Sequence, residues 1–397
     1  MSDAKALPPM SLRRLAAVLL TAVLWVGAPA RGAEPLDVNA PHAILMDAAT
    51  GAVLFDKDAD AQTPPASMVK LMTLDLVFRA LKDGRVKFED EYLVSQNAYK
   101  KGGDRSGATT MFLPVNSSVR IADLVSGIAV ASANDACIVV AEGLAGSEQA
   151  FAEQMSQVGR DIGLAKAHFT NPTGLPDPDQ TMSARDLALV AQHIIKEYPE
   201  YYSYFSQRNF DINNKLLLNK NPLLSQNLGV DGLKTGASAE SGKGIVASAL
   251  NDGRRLIVVL NGEDKETDLS ADARKLFDHG MKAFKEAMVF DGGEIISEAR
   301  VWGGTRYFVP LVSDGAAHIL VPRASTATGG LKASLVYQGP LKAPVKKGEA
   351  VGYLRVETSE GIVSKVPVFA AIDVPRSSVL ARGVDSVLMI TLGWLMK

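Results

Sequence analysis

The sequence predicts an α+β domain organised around one antiparallel sheet, followed by a small all-β domain and a terminal amphipathic helix. Three observations lead there. Strand-like segments stand both near the start of the chain and around residues 230–260, with helical periodicity between them, so the two ends of one domain share a sheet. From about residue 291 to Pro375 the text turns to short strands punctuated by Gly and Pro. The chain has 397 residues, 47% of them hydrophobic, which is more than one ordinary domain and enough for a sizeable core.

The elements follow in order. Arg13 and Arg14 precede an apolar run from Leu15 to Val26, and Ala28-Pro29-Ala30 resembles a cleavage site. Such a run reaches only about 18 Å against a hydrocarbon core of roughly 30 Å, so residues 1–30 read as a removed export signal, with the mature chain starting near Arg31. His42–Asp47 and Ala52–Phe55 flank the turn Ala48-Ala49-Thr50-Gly51, a β-hairpin. Pro64-Pro65 ends the extended chain. From Ser67 the spacing Leu71, Leu74, Phe78, Leu81 predicts a core helix with Ser67 in its first turn, stopped at Asp83-Gly84. Residues 120–200 are also helical in pattern, and Ser183-x-x-Asp186 predicts a capping box.

Strands are expected over Val230–Thr235, Gly244–Leu250 and Arg255–Leu260, the last two joined through Asn251-Asp252-Gly253. A helical segment around Asp278–Met288 then gives way at Asp291-Gly292-Gly293 to the β-rich region. The domains expected are therefore a catalytic domain over 31–288, a β-rich spacer or contact module over 289–376, and a terminal helix over 377–397. That helix carries Ser378, Arg382, Asp385, Ser386, Gly393 and Lys397 on one stripe, with Leu380, Val384, Val387, Leu388, Trp394 and Leu395 outside it. The uncharged run from Ser386 to Met396 spans only about 16 Å, so a helix lying on a membrane surface is expected rather than one crossing it.

Composition narrows the function. With 42 basic and 44 acidic residues the net charge is −2, which offers no field for holding nucleic acid. Cys137 is the only cysteine and lies in the apolar run Ala136–Val140, so it reads as an inert buried thiol, and no internal disulfide is possible. None of the five histidines has metal-binding spacing, and no G-x-S-x-G nucleophile elbow occurs, so no metal or cofactor is expected.

Chemistry enters at Ser67-Met68-Val69-Lys70. Residues three apart are neighbours on a helix surface, which brings the amine to the hydroxyl. The motif alone is weak, since Ser2-Asp3-Ala4-Lys5 matches it too. Ser132-Ala133-Asn134 is likewise one of three S-x-N matches, beside Ser95-Gln96-Asn97 and Ser225-Gln226-Asn227. The order is what is specific: S-x-x-K, then S-x-N, then Lys234-Thr235-Gly236, which occurs once and on a predicted strand.

With the longer segments Pro65–Thr73, Ser132–Cys137, Thr170-Asn171-Pro172-Thr173-Gly174-Leu175 and Val230–Gly236, the chain resembles the low-molecular-mass D-alanyl-D-alanine carboxypeptidases among the penicillin-binding proteins. The likeness spans essentially the whole mature chain. It implies the fold shared by serine β-lactamases and penicillin-binding proteins, and a peptidoglycan stem peptide ending in D-Ala-D-Ala as substrate. It also implies β-lactams as covalent inhibitors and an exported enzyme at the periplasmic face of the inner membrane.

In that reading Ser67 is the nucleophile and Lys70 its base. A free lysine is protonated at neutral pH, so Lys70 must be depressed, and burial with Lys234 as a second cation is the expected cause. Ser132 relays protons to the leaving amine, and Asn134 holds the substrate amide. Lys234 and Thr235 grip the terminal carboxylate, which makes the enzyme an exopeptidase. Gly236 permits close backbone approach, and the amides of Ser67 and Ala237 form the oxyanion hole. The chain departs from many relatives, which have glycine at 133, histidine at 237 and arginine at 220, where it has Ala133, Ala237 and Lys220. Alternatives are a D,D-endopeptidase, a weak β-lactamase, for which no E-x-x-L-N deacylating motif lies between Ser132 and Lys234, or a non-catalytic envelope scaffold.

Overall fold

The hairpin at the start of the domain closes on strands some two hundred residues later. In the structure, a computed structural model describing residues 36–164, 166–323 and 331–392, β1 (His42–Asp47) and β2 (Val53–Lys57) pair antiparallel. β1 also pairs along its other edge with β5 (Arg254–Glu263), Ile44 standing opposite Val259. Between β5 and the edge strand β3 (Val230–Ser238) runs β4 (Gly242–Asn251), giving the order β2-β1-β5-β4-β3. The β4–β5 turn has two central residues, Asp252 (φ +50°) and Gly253 (φ +79°), both left-handed as the Asp-Gly text predicts. The expected signal segment and its cleavage site lie outside the described residues.

The four longest helices between the hairpin and β3 are α1 (Lys70–Lys82), α2 (Asn134–Ala145), α3 (Glu148–Asp161) and α4 (Ala184–Glu197). Leu71, Leu74 and Phe78 of α1 are fully buried in a cluster with Ile44, Val139, Phe151, Leu187 and Val259, so this helix runs through the middle of the core. Each such side chain contributes about 2–3 kcal/mol by leaving water. Gly84 (φ +68°) ends the helix region, and the capping box forms, Ser183 Oγ accepting from Asp186 N at 3.0 Å and Asp186 Oδ2 from Ser183 N at 2.9 Å.

Three expectations are corrected. Ser67 does not lie in the first α-turn; Ala66–Val69 forms a 3-10 turn that feeds into α1, because Ala66 (φ +47°) leaves the helical region just after Pro65. The helical text of 120–200 breaks between α3 and α4 into a loop built on Asn171-Pro172-Thr173-Gly174. The helix expected to reach Met288 is α5 (Glu266–Ala283); Phe284–Phe290 is a strand paired with Ala317–Pro322, since its side chains alternate between faces.

Beyond it, strands including Ser297–Trp302, Phe308–Val312, Ala350–Glu357 and Val363–Ala370 form a six-stranded sheet over Val301, Leu311, Leu354 and Val368. The last described element is α6 (Val379–Leu392). Its polar stripe faces protein: buried Asp385 accepts from Gly303 N at 2.8 Å and lies 3.7 Å from Arg300. Val379 and Leu380, at its start, are 74% and 86% exposed. No described helix is long and apolar enough to cross a membrane, and residues 393–397 of the expected stripe lie outside the described residues.

Candidate active site

Two backbones converge on the 3-10 turn carrying Ser67. β3 crosses it at Gly236, where a Cβ would stand 3.0 Å from Met68 N and 3.1 Å from Pro65 O. The 170–175 loop crosses at Gly174 (φ +79°), where a Cβ would come 2.0 Å from Ala66 O. At Gly174 both the left-handed backbone and the close approach call for glycine, and at Gly236 an added Cβ would press on the turn. Gly236 thus meets the turn that carries Ser67.

Lys70 enters from the start of α1 and is fully buried. Its Nζ donates to Ser67 Oγ at 2.8 Å and also to the Thr173 carbonyl. Burial lowers its pKa from the ordinary lysine value to about 8. Once the amine is neutral the 2.8 Å contact reverses, Ser67 O–H donating to Nζ, which is the arrangement general-base activation of a serine requires. Lys234 is also fully buried and shifted well below the usual lysine range, first by burial and then by the charge of Lys70; its Nζ donates to Thr235 O at 3.1 Å. Burial is the leading cause at both lysines, and two cations held close together disfavour each other's charge.

The Thr173 carbonyl was not singled out by sequence reasoning. Its position is set by Asn171, whose Oδ1 accepts from Thr173 N (3.1 Å), Thr173 Oγ1 (2.7 Å) and Gly174 N (2.9 Å), while Thr73 Oγ1 of α1 donates to Pro172 O at 2.7 Å. The N-P-T-G text signals such a turn, but nothing in it reveals that the turn faces an amine 103 positions away.

Ser132 follows a π-turn, Gly127–Ala131, and sits in the left-handed region (φ +61°). Its carbonyl accepts from Thr109 Oγ1 at 2.7 Å, and its buried hydroxyl has no hydrogen-bond partner. Asn134 is the first residue of α2, with a buried and unpartnered Oδ1. Orphaned buried polar atoms are costly, and Ser132 carries one in the same cleft wall as Ser67. Behind them Asp135 accepts from Thr110 Oγ1 (2.6 Å), Met111 N (3.0 Å) and Leu113 N (3.1 Å), fixing the 109–113 segment. Cys137 is buried nearby with its thiol pushed up to about 12 by burial, as an unreactive thiol should be.

The open space is a cleft of about 320 Å³ whose wall includes Ser67, Ser132, Thr235, Gly236, Ala237 and Lys220. Of the sequence-predicted residues, Lys70, Asn134 and Lys234 lie behind this wall rather than in it. No hydrogen bond joins Ser132 Oγ to either lysine. The other S-x-N matches are elsewhere: Ser95 caps a short helix, its Oγ accepting from Ala98 N at 2.9 Å, and Ser225 Oγ donates to Pro222 O at 3.2 Å on an exposed turn.

A family model described as D-alanyl-D-alanine carboxypeptidase matches residues 29–264, and one described as penicillin-binding protein 5, C-terminal domain, matches residues 284–376. Among curated relatives, D-alanyl-D-alanine carboxypeptidase DacC of Escherichia coli (strain K12) is 34% identical over 95% of this chain and 96% of its own length. Penicillin binding protein 5 from Haemophilus influenzae superposes with a TM-score of 0.72 at 32% identity, covering 87% of this chain and 100% of that one. Penicillin binding protein 6B from Escherichia coli gives a TM-score of 0.67 at 29% identity, covering 86% and 98%.

Proposed function

Because the chain belongs to the D-alanyl-D-alanine carboxypeptidase family and is a serine-type peptidase of the penicillin-binding fold, we propose that Ser67 is its nucleophile and Lys70 its general base. The observation that carries the proposal is the 2.8 Å contact between a fully buried, depressed lysine and a serine hydroxyl opening into the cleft. The activity is removal of the terminal D-alanine from peptidoglycan stem pentapeptides through an acyl-enzyme that penicillin also forms. Ser67 Oγ attacks the penultimate D-alanine carbonyl as its proton passes to Lys70 Nζ; the carbonyl oxygen settles between the amides of Ser67 and Ala237. Ser132 Oγ, free of other partners, returns a proton to the departing amine, and water then releases the acyl group. Asn134 holds the amide that precedes the scissile bond, and Lys234 and Thr235 receive the terminal carboxylate. An incoming carboxylate restores the charge that burial takes from Lys234.

The peptidase unit of 31–288 and the β-rich unit of 289–376 are proposed as separate domains, the second without catalytic groups. We also propose export by residues 1–30 and peripheral attachment at the periplasmic face of the inner membrane through the amphipathic helix α6. Release of D-alanine from a pentapeptide ending in D-Ala-D-Ala, lost in Ser67→Ala together with fluorescent-penicillin labelling, tests the chemistry; labelling that persists in Ser67→Ala moves the nucleophile elsewhere. Deleting residues 378–397 should shift the protein to the soluble fraction, and unchanged membrane association would refute the attachment.

A further inference from the structure

The cleft wall contains a second lysine on a different strand, Lys243 at the start of β4, next to Gly244 and near Glu266 of α5. It stands directly opposite Ala237 in the β3–β4 ladder. Cross-strand partners project from the same face of a sheet, so the side chains of Lys243 and Ala237 share a face, and Thr235, two residues along β3, shares it too. β3 is the edge strand bordering the cleft, and Lys243 and Gly244 of β4 line the same wall. Neighbouring strands lie about 4.8 Å apart, and a lysine stem extends roughly 6 Å. The methyl group of Ala237 leaves that path open. The diagonal from position 243 to position 235 is about 7–8 Å between backbones, within the reach of the stem plus the width of a carboxylate.

Lys243 is half-buried, and no hydrogen bond or ion pair to its ammonium occurs among the described residues; Glu266, the carboxylate in the same wall, is not within salt-bridge distance. The exposed Lys220, whose carbonyl accepts from Thr235 Oγ1 at 3.4 Å, lines the same wall.

We propose that Lys243 is a specificity-determining residue that reaches over Ala237 to hold the substrate's terminal carboxylate at Thr235, so that two wall lysines, 220 and 243, bracket it above the buried Lys234. The assignment rests on the reading of Thr235 as the carboxylate subsite. It gives the chain a cation at the Ala237 position without a cationic residue there. A peptide whose terminus is amidated loses this contact, whereas its scissile bond is untouched.

The test compares an acyl-D-Ala-D-Ala peptide with its C-terminal carboxamide, and benzylpenicillin with its methyl ester, on the full chain. Lys243→Gln should raise KM for the free acid about tenfold while kcat stays within twofold, the pattern of an interaction equal in ground and transition states. It should slow acylation by the penicillin by a similar factor, leave the amide and the ester unchanged, and be rescued by Lys243→Arg. Equal losses on acid and amide, or no change on either, overturn the proposal. A wild-type chain that releases no D-alanine fails the parent reading instead, and the penicillin and ester pair then still decides Lys243.

Discussion

The proposed role of Lys70 as general base predicts a definite dependence of acylation on pH. Only the neutral amine accepts the Ser67 proton, so the second-order rate constant for acylation by a labelled penicillin tracks the deprotonated fraction of Lys70 in the free enzyme. With burial placing the pKa at about 8 rather than at the ordinary lysine value of 10.5, that fraction is about a tenth at pH 7 and about nine tenths at pH 9. The rate should therefore rise roughly tenfold over those two units and level off above them. An unshifted lysine would give about a hundredfold rise with no plateau. The shift corresponds to about 3 kcal/mol of disfavoured charge, attributable to burial, so replacing Leu71 or Val69 with a polar residue that admits water should move the midpoint upward. The assay is gel quantification of fluorescent penicillin after short exposures between pH 6 and 9.5. A log-linear rise of unit slope through pH 9.5, or acylation retained by Lys70→Arg, which holds its proton throughout, would refute the assignment.

Asp75, on the same helix, is fully buried with both oxygens lacking hydrogen bonds, 3.5 Å from His193 Nε2; burial raises its pKa to about 7. The native state then holds a proton that the unfolded chain releases near pH 4, so this group costs stability progressively from about pH 4 to 7. Asp75→Asn should raise the melting temperature at pH 8, by an amount equivalent to at most about 4 kcal/mol, with the gain vanishing near pH 4; a pH-independent difference would contradict this. Gly174→Ala should cost at least about 3 kcal/mol, because its Cβ falls on the Ala66 carbonyl, and should slow penicillin labelling; calorimetry showing a neutral change would remove the close-approach argument. Asp385→Ala leaves the buried Gly303 N–H unsatisfied and should make the stretch before α6 cleavable by limited proteolysis at unchanged D-alanine release.

The elements whose periodicity is local were legible in the sequence. α1, the capping box at Ser183 and the Asp-Gly hairpin are each written in a dozen residues or fewer, and the three motifs name the walls of the cleft in chain order. Illegible were contacts set by long-range closure. Nothing near Thr173 announces that its carbonyl meets Lys70, and Lys243 becomes visible only when the register pairs it with Ala237. The strand Phe284–Phe290 was read as helix because its apolar residues continue the α5 pattern for two turns, and only pairing with Ala317–Pro322 decides between the periods. Lys70 was expected to be depressed, but the relative weight of burial and of Lys234 depends on solvent exclusion that no motif encodes.

The way α6 is fastened has a mechanical consequence. A helix joined to its body by a bare linker works as a rope, leaving whatever it is tied to free to swing. Here a buried aspartate grips the backbone amide of Gly303, at the end of a strand of the β-rich sheet, and an arginine stands close by, so the joint behaves as a bracket. Any surface that took hold of Val379 and Leu380 would therefore also fix the tilt of the sheet behind them.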